Sequence, residues 1–306
     1  MEDYPKTIVA FDERFSTEEA CRQYLYQLRW PDGFRCPRCN FHKAWTKNNE
    51  LYQCQKCGYR VSVIAGTIFQ DTRKPLRLWF RAVWYITSQK HGVSALGLKR
   101  VLGLGSYRTA WTWLHKLRCA MVRPGRDRLS GIVEIDETYI GGEKPGKRGR
   151  GAAGKALVFV AAEEKDNHIG RIRLLRVKDA SSENLSKAVN ATIEPGTLVR
   201  TDGWNGYNFL PGAGFPRMIV RYDSIVGDNL LPLVNRVVSL LKRWLLGTLQ
   251  GAVQPSHLDY YLDEFTFRFN RRTSKSRGKL FYRLIQQAVA ISPVIGREFK
   301  GGRAVY

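Results

Sequence analysis

The chain is short of acid. Its 306 residues set 27 aspartates and glutamates against 50 lysines and arginines, a formal net charge of +23 and a pI near 10.0. A field of this sign favours polyanions, because each phosphate neutralised releases condensed counterions. Long apolar runs are missing as well: none approaches the roughly 20 residues that span a bilayer, and no amphipathic anchor or lipidation motif accompanies the charge. Nucleic acid, not a membrane, is therefore the expected partner. The first residues, MEDYPKTIVAFDERF, are acidic and mixed, unlike a secretory signal, so a soluble cytoplasmic protein is expected. The five histidines show no H-E-x-x-H pair and no triad-like spacing, and none is assigned a role.

Cysteine is also sparse. Six in a chain of this length are too few for a secreted disulfide scaffold. Four of them form CPRC (36–39) and CQKC (54–57), with fourteen residues between. Two C-x-x-C turns aim four thiolates at one ion, so Cys36, Cys39, Cys54 and Cys57 are expected to close a tetrahedral structural Zn²⁺ site. Trp45, Leu51 and Tyr52 suit a hairpin between the turns, giving a zinc ribbon; a redox C-x-x-C pair is the competing reading. Cys21 and Cys119 fall on apolar helical patterns and read as ordinary buried thiols.

The hydrophobic period divides the chain into a multidomain α+β protein. Residues 1–35 form a helical segment around EEACRQYLYQLRW, with Ser16 or Thr17 as cap. Residues 36–70 are the ribbon. Residues 71–125 carry three helical patterns, LRLWFRAVWYITSQ, VSALGLKRVLG and YRTAWTWLHKLRCAM, with Ser94 and Ser106 as caps for the last two. A Gly-containing turn between short helices suggests a helix-turn-helix whose Tyr107, Arg108, Thr109 and Thr112 meet base edges. A plain bundle built on Trp79, Trp84, Trp111 and Trp113 is the alternative. Residues 126–290 switch to strands (GIVEIDETYI, ALVFVAA, GRIRLLRV), a helix (SSENLSKAVNAT), a further strand (TLVRTD) and more helices, which reads as one α/β domain. Residues 291–306 are a basic tail.

Alternation within IVEIDETYI places Val133 and Ile135 on one face and Glu134 and Asp136 on the other. Two carboxylates on a buried-looking strand are costly unless paired or metal-bound. Asp202 ends the strand TLVRTD where a loop begins, and strand-end loops are where α/β sheets place chemistry. Asp136 and Asp202 suit a hard cation such as Mg²⁺. In LLPLVNRVVSLLKRWLLG the apolar stripe marks an amphipathic helix, and Asn235 and Lys242 share the face beside it. Asp228 and Glu134 are nearby acids that would substitute for Asn235; Glu264 is expected to pair with Arg268 at i+4.

Two basic stretches suit phosphate contact. YIGGEKPGKRGRGAAGK (139–155) follows the first acidic strand and includes Lys147, Arg148 and Arg150; a solvated loop is the alternative. RFNRRTSKSRGKLFYR (268–283) includes Arg271 and Arg272 among aromatic residues, with an idle basic surface as the alternative. GRGAAGKA (149–156) nears a phosphate-binding loop, but Ala156 offers no hydroxyl and a strand pattern follows, so that reading is rejected.

Taken in order, CPRC…CQKC, EIDETYIGG, TDGWNGY, SLLKRWLLGTLQGAV and HLDYYLDEFTFRFNRR resemble the DDE insertion-sequence transposases that carry a zinc ribbon before an RNase H-like domain. The resemblance implies an RNase H-like mixed sheet and catalytic positions Asp136, Asp202 and Asn235, the last standing where many such enzymes have Glu. It implies two Mg²⁺ or Mn²⁺ ions held by those three residues, with Lys242 and the adjoining Arg243 contacting DNA. It further implies a bacterial, nucleoid-associated enzyme that acts on terminal inverted repeats and target DNA as a homodimer or higher assembly. A catalytically inactive zinc-ribbon DNA-binding protein and an RNase H-like structure-specific nuclease are the competing functions.

Overall fold

The computed structural model describes residues 2–47, 50–123, 125–141, 155–221, 229–251, 253–294 and 299. They fall into two compact units, one of residues 1–123 with 274–296 and one of 124–273 with 297–306. No helix among the described residues is long and apolar enough to cross a membrane.

The first unit opens with α1 (Ile8–Arg14) and α2 (Glu18–Arg29), whose N-caps Thr7 and Thr17 each accept a backbone N–H at 3.1 Å. Glu18 and Glu19 in the first turn of α2 and Arg29 in its last complement the helix dipole. The ribbon follows as β1 (Ala44–Lys47), β2 (Leu51–Cys54) and β3 (Arg60–Ser62), a three-stranded antiparallel sheet in that order. Tyr52 fixes the sheet to α2 by packing against Tyr26 and Trp30, with ring centroids 5.0 and 5.5 Å apart.

Three helices complete this stretch: α3 (Leu76–Ser88), α4 (Ala95–Leu102) and α5 (Tyr107–Ala120). Leu76 follows a proline, and the N-cap, Pro75, offers no side-chain acceptor. The amides of Leu76 and Arg77 donate instead to the carboxylate of Glu18, at 2.8 and 3.0 Å. Ser94 caps α4 through Gly97 N–H at 3.0 Å, as expected. Ser106 occupies the N-cap position of α5 but makes no side-chain capping bond. Trp79 stacks on Trp113 with centroids 3.8 Å apart, so these indoles are core, while Tyr107 and Arg108 at the start of α5 are exposed.

The second unit is a mixed five-stranded sheet with helices on both faces. Its strands are β4 (Ile132–Ile140), β5 (Ala156–Lys165), β6 (His168–Val177), β7 (Leu198–Thr201) and β8 (Arg217–Ile219), in the order β6-β5-β4-β7-β8. Strands β4, β5 and β6 pair antiparallel, whereas β7 joins β4, and β8 joins β7, in parallel. This is a mixed sheet, as expected from the sequence. Asp166 and Asn167, both at positive φ (50° and 59°), make the two-residue β5–β6 hairpin. The first eight residues of β5 are all buried, as a strand covered on both faces must be.

Helix α6 (Ser182–Thr192), capped by Ser181, crosses between β6 and β7. It covers one face through Leu185, Ala188 and Val189, which pack with Val133, Ile135 and Phe159. Helices α7 (Pro232–Leu249) and α8 (Leu258–Phe269) cover the other through Val234, Val237, Leu241 and Phe265, against Val158, Val160 and Leu174. Glu264 of α8 pairs with Arg268 at 2.8 Å, as expected, with Glu264 buried and Arg268 partly buried.

The last helix departs from the expected boundary. Reading 126–290 as one domain puts α9 (Arg277–Ala290) at the end of the α/β domain, but residues 274–296 belong to the first unit. The apolar face of α9 decides this: Phe281 lies in an aromatic cluster with Phe11, Phe15, Phe80 and Trp84, at centroid distances of 5.4 to 5.8 Å.

Candidate functional site

The four ribbon cysteines converge. Their sulfurs lie within 4.8 Å of one another, with Cys36 and Cys57 Sγ 3.7 Å apart and Cys39 and Cys54 Sγ 3.6 Å apart. Four thiolates at the usual Zn–S distance of about 2.3 Å would be separated by roughly 3.8 Å along each tetrahedral edge, so the donor set fits zinc. The backbone explains the fit. In both turns the N–H four residues after the first cysteine returns to its carbonyl: Asn40 to Cys36 at 2.8 Å and Gly58 to Cys54 at 3.0 Å. Asn40 and Gly58 both take positive φ (59° and 69°), the conformation these two residue types tolerate best. Among the described residues this is the one group of three or more His, Cys, Asp or Glu side chains arranged to hold a metal.

In the second unit the strands that lead to the two aspartates are neighbours. Parallel register sets Ile132 of β4 beside Leu198 of β7, and Glu134 beside Arg200. Asp136 and Asp202 each lie two residues beyond the last paired positions, Glu134 and Arg200, and both bear electrostatically on Tyr207. Asp136 shares the parity of Glu134, opposite Val133 and Ile135, which are buried under α6. Asp202 Oδ1 accepts the N–H of Trp204 at 3.0 Å, a local turn that begins the loop just past β7.

Beneath this pair lies a buried phenol. Tyr207 is fully buried and donates its hydroxyl to the carboxylate of Glu137. Burial pushes the Tyr207 phenol well above its ordinary range, and the negative charges of Glu137, Asp136 and Asp202 push it further. The motifs EIDETYIGG and TDGWNGY are thus tied by one hydrogen bond between Glu137 and Tyr207. Trp204 donates its indole N–H to Ala180 O at 3.2 Å. Gly206 lies so close beneath that indole that a Cβ there would overlap Trp204 Nε1. Arg217 of β8 closes the loop from outside, donating to Thr201 Oγ1 (2.9 Å) and to the carbonyls of Asp202 (3.1 Å) and Trp204 (3.0 Å).

Glu134, a possible substitute ligand on sequence grounds, is occupied elsewhere. It is 2% exposed, and its Oε2 accepts the N–H groups of Leu233 (2.8 Å) and Val234 (3.1 Å) at the start of α7. The N-cap, Leu231, makes no side-chain capping bond. Burial raises the pKa of Glu134, against the two backbone hydrogen bonds, which lower it. The acidic strand and the helix bearing Asn235 are therefore joined directly.

Asn235 follows at once on that anchored turn. It is exposed, and its Nδ2 donates to Asn229 Oδ1 at 2.7 Å. Lys242 and Arg243, two turns on, are exposed on the same helix. Arg271 and Arg272 lie just past α8, their guanidiniums over the rings of Phe267 and Phe269, each 4.1 Å from the centroid. Arg272 also donates to the carbonyls of Gly170, Phe269 and Ile169, so it pins the end of α8 to β6. Lys147, Arg148, Arg150 and Asp228 lie outside the described residues.

Sequence reasoning missed the Glu134 cap, the Glu137–Tyr207 bond and the Arg217 brace. Tyr207 ends the motif TDGWNGY, and Glu137 falls on the buried parity of its strand; those were the available signals.

Comparison with known proteins finds similarity to transposases. The model of an ISXO2-like transposase domain matches residues 128–270, and that of a transposase zinc-ribbon domain matches residues 16–60. An uncharacterized protein in transposable element ISH50 of Halobacterium salinarum is 27% identical over 288 residues, covering 87% of this chain and 94% of its own. Among solved structures, the HTLV-2 integrase catalytic core domain in complex with magnesium shares 15% identity at a TM-score of 0.32, over 50% of this chain and 97% of its own. The Mos1 strand transfer complex shares 11% identity at a TM-score of 0.30, over 78% of this chain and 82% of its own.

Proposed function

We propose that this chain, which matches the models of a transposase zinc-ribbon domain and of an ISXO2-like transposase domain, cuts and joins DNA at the ends of an insertion sequence, through Asp136 and Asp202. The observation that supports this reading is that β4 and β7 are parallel neighbours, with Asp136 and Asp202 each two residues beyond the last paired positions, Glu134 and Arg200. Two strand-end carboxylates and an amide oxygen form a hard donor set, suited to Mg²⁺ or Mn²⁺. Bound there, such ions supply the Lewis acidity that activates a water and stabilises the leaving oxygen of a phosphodiester.

The protein's own groups do the rest. Asp136 and Asp202 are the charged ligands, held rigid by the Glu137–Tyr207 bond and the Arg217 brace. Asn235 turns its amide nitrogen to Asn229, which leaves its carbonyl oxygen for a cation. Being neutral and without basic character, Asn235 acts as a ligand and not as a general base. Lys242 and Arg243 offer positive charge to the DNA backbone along the same helix. The reaction is in-line attack of water on the phosphodiester at the element's end, after which the freed 3′-hydroxyl attacks target DNA. Paired ends call for a homodimer or larger assembly on DNA.

The test is nicking of a supercoiled plasmid bearing the element ends, with Mg²⁺ or Mn²⁺, by wild type and Asp136→Ala. Loss of at least a thousandfold in the variant is expected. Equal activity in both proteins would sink the catalytic assignment, and the chain would then be a DNA-binding protein that does not cut. Strand transfer from pre-cleaved ends separates a transposase from a nuclease that cuts without joining.

A further inference from the structure

The outer face of the ribbon sheet has a composition that its role as a zinc scaffold does not require. Strand register aligns Trp45, Gln53 and Arg60 in one row across the three strands, and Thr46, Tyr52 and Val61 in the next. Successive rows face opposite sides. The second row is the inner one: Val61 is buried, and Tyr52 packs on Tyr26 and Trp30. Trp45 and Arg60 therefore look outward, with the half-buried Gln53 between them, and Lys47 and Leu51 share their parity.

Trp45 is 55% exposed and Leu51 40%; Lys47, two residues along the same strand, and Arg60, at the far end of the Trp45 row, are exposed as well. Residues 33–62 contain six lysines and arginines and a single acid, Glu50. That acid is ion-paired to Arg22 of α2 at 2.8 Å. The ribbon stays cationic even when the two negative charges of a zinc tetrathiolate are counted. An exposed indole on a sheet face that also presents cations is how single-stranded nucleic acid is held: a base stacks on the ring while basic side chains track the backbone. A duplex would not use the indole in this way, since its base faces are already stacked on one another. An acidic or apolar protein partner would call for a larger apolar patch than one Trp and one half-exposed Leu.

We propose that this face binds single-stranded DNA, with an unpaired base on Trp45 and the flanking phosphates on Lys47 and Arg60. The proposal rests on the reading that the chain acts on DNA ends, and it adds where an unpaired strand would be held.

The experiment uses the full-length, zinc-loaded chain and fluorescence anisotropy with a labelled single-stranded oligonucleotide and a duplex of equal length. Trp45→Ala should weaken single-strand binding by roughly tenfold and duplex binding by less than about twofold, while Trp45→Phe keeps most of the affinity. The double variant Lys47→Ala/Arg60→Ala should weaken both and reduce the magnitude of the salt slope on single strands by roughly 1.4, about 0.7 for each phosphate no longer neutralised. Unchanged zinc content shows that the ribbon is intact, and because Trp45 is exposed its loss leaves no core cavity. Unchanged single-strand affinity in Trp45→Ala, or equal loss for both DNAs, would overturn the proposal. Failure of the catalytic reading appears separately, as nicking that survives Asp136→Ala. Wild-type protein that binds neither DNA would overturn both.

Discussion

Replacing Glu134 with alanine should loosen the first turn of α7 and, with it, the seat of Asn235. The carboxylate serves two of the four amides that a helix start leaves unpaired, those of Leu233 and Val234. Val234 is buried, so water does not readily replace the lost acceptor. Stranding a donor in such a place costs about 1–3 kcal/mol, which for two amides gives a gross loss of about 2–6 kcal/mol. Against this stands a gain. Burial raises the Glu134 pKa despite both hydrogen bonds, so the ionised carboxylate is worse off here than in water, and its removal relieves that cost. A net loss of about 2–4 kcal/mol follows, in line with breaking other buried charged contacts.

Glu134→Gln isolates the two effects, since it keeps an oxygen for both amides and discards the charge. It should lie within about 1 kcal/mol of wild type. The pH dependence has a definite sign. A raised folded-state pKa means that the folded protein binds the proton more tightly than the unfolded chain does. Its contribution is therefore full below the ordinary glutamate range, about 4.3, and is lost as pH rises through the higher folded-state value. Wild type should thus lose ground to Glu134→Gln across that window. The assay is hydrogen exchange at the amides of residues 233–237, with urea midpoints and metal-dependent nicking alongside. Glu134→Ala should exchange faster and nick at least tenfold more slowly, and Glu134→Gln should do neither. Wild-type protection at those amides in Glu134→Ala would refute the argument.

Three other outcomes are expected. Each chain should carry one zinc ion by elemental analysis, and a chelator that removes it should abolish exchange protection in β1, β2 and β3; protection that persists without zinc would rule out a metal-held ribbon. Tyr207→Phe deletes the bond to Glu137 and should cost about 1–2 kcal/mol while raising the Mg²⁺ concentration needed for half-maximal nicking; an unchanged Mg²⁺ requirement would confine Tyr207 to packing. Asn235→Asp adds a charged oxygen at the proposed third ligand and should lower that Mg²⁺ requirement several-fold, whereas no change would move the ions away from α7.

Much of this molecule was legible because its signals are local. Each cysteine turn closes within six residues. The alternation in β4 told which of its residues face α6, and the apolar stripe of α7 told which side of that helix is covered. Periodicity says that a face is buried but not what buries it, and the errors follow from that. The apolar face of α9 would serve a sheet or a helical cluster equally well; only the aromatic residues of α1, α2 and α3, some 200 to 270 positions earlier, draw it into the first unit. Arg272 lies in a basic run that resembles an idle or DNA-facing surface, yet its guanidinium is held by strand carbonyls about a hundred residues away.

Capping shows the same limit and also a way past it. Helices α3 and α7 both begin at a proline, α3 with Pro75 as N-cap and α7 with Pro232 as first residue, and neither N-cap makes a side-chain capping bond. Amides at such a start must still find acceptors. In both helices the acceptor is a glutamate from far away in sequence, Glu18 at 58 residues from Leu76 and Glu134 at 99 from Leu233. The absence of a Ser, Thr, Asp or Asn cap is thus itself a signal that a distant oxygen is required. A carboxylate on the buried-looking strand beside Asp136 is a strong claimant for that role before it is a metal ligand. On this argument the costly placement of Glu134 serves the proposed chemistry at one remove: it fixes the start of α7, and Asn235 with it, to the strand that carries Asp136.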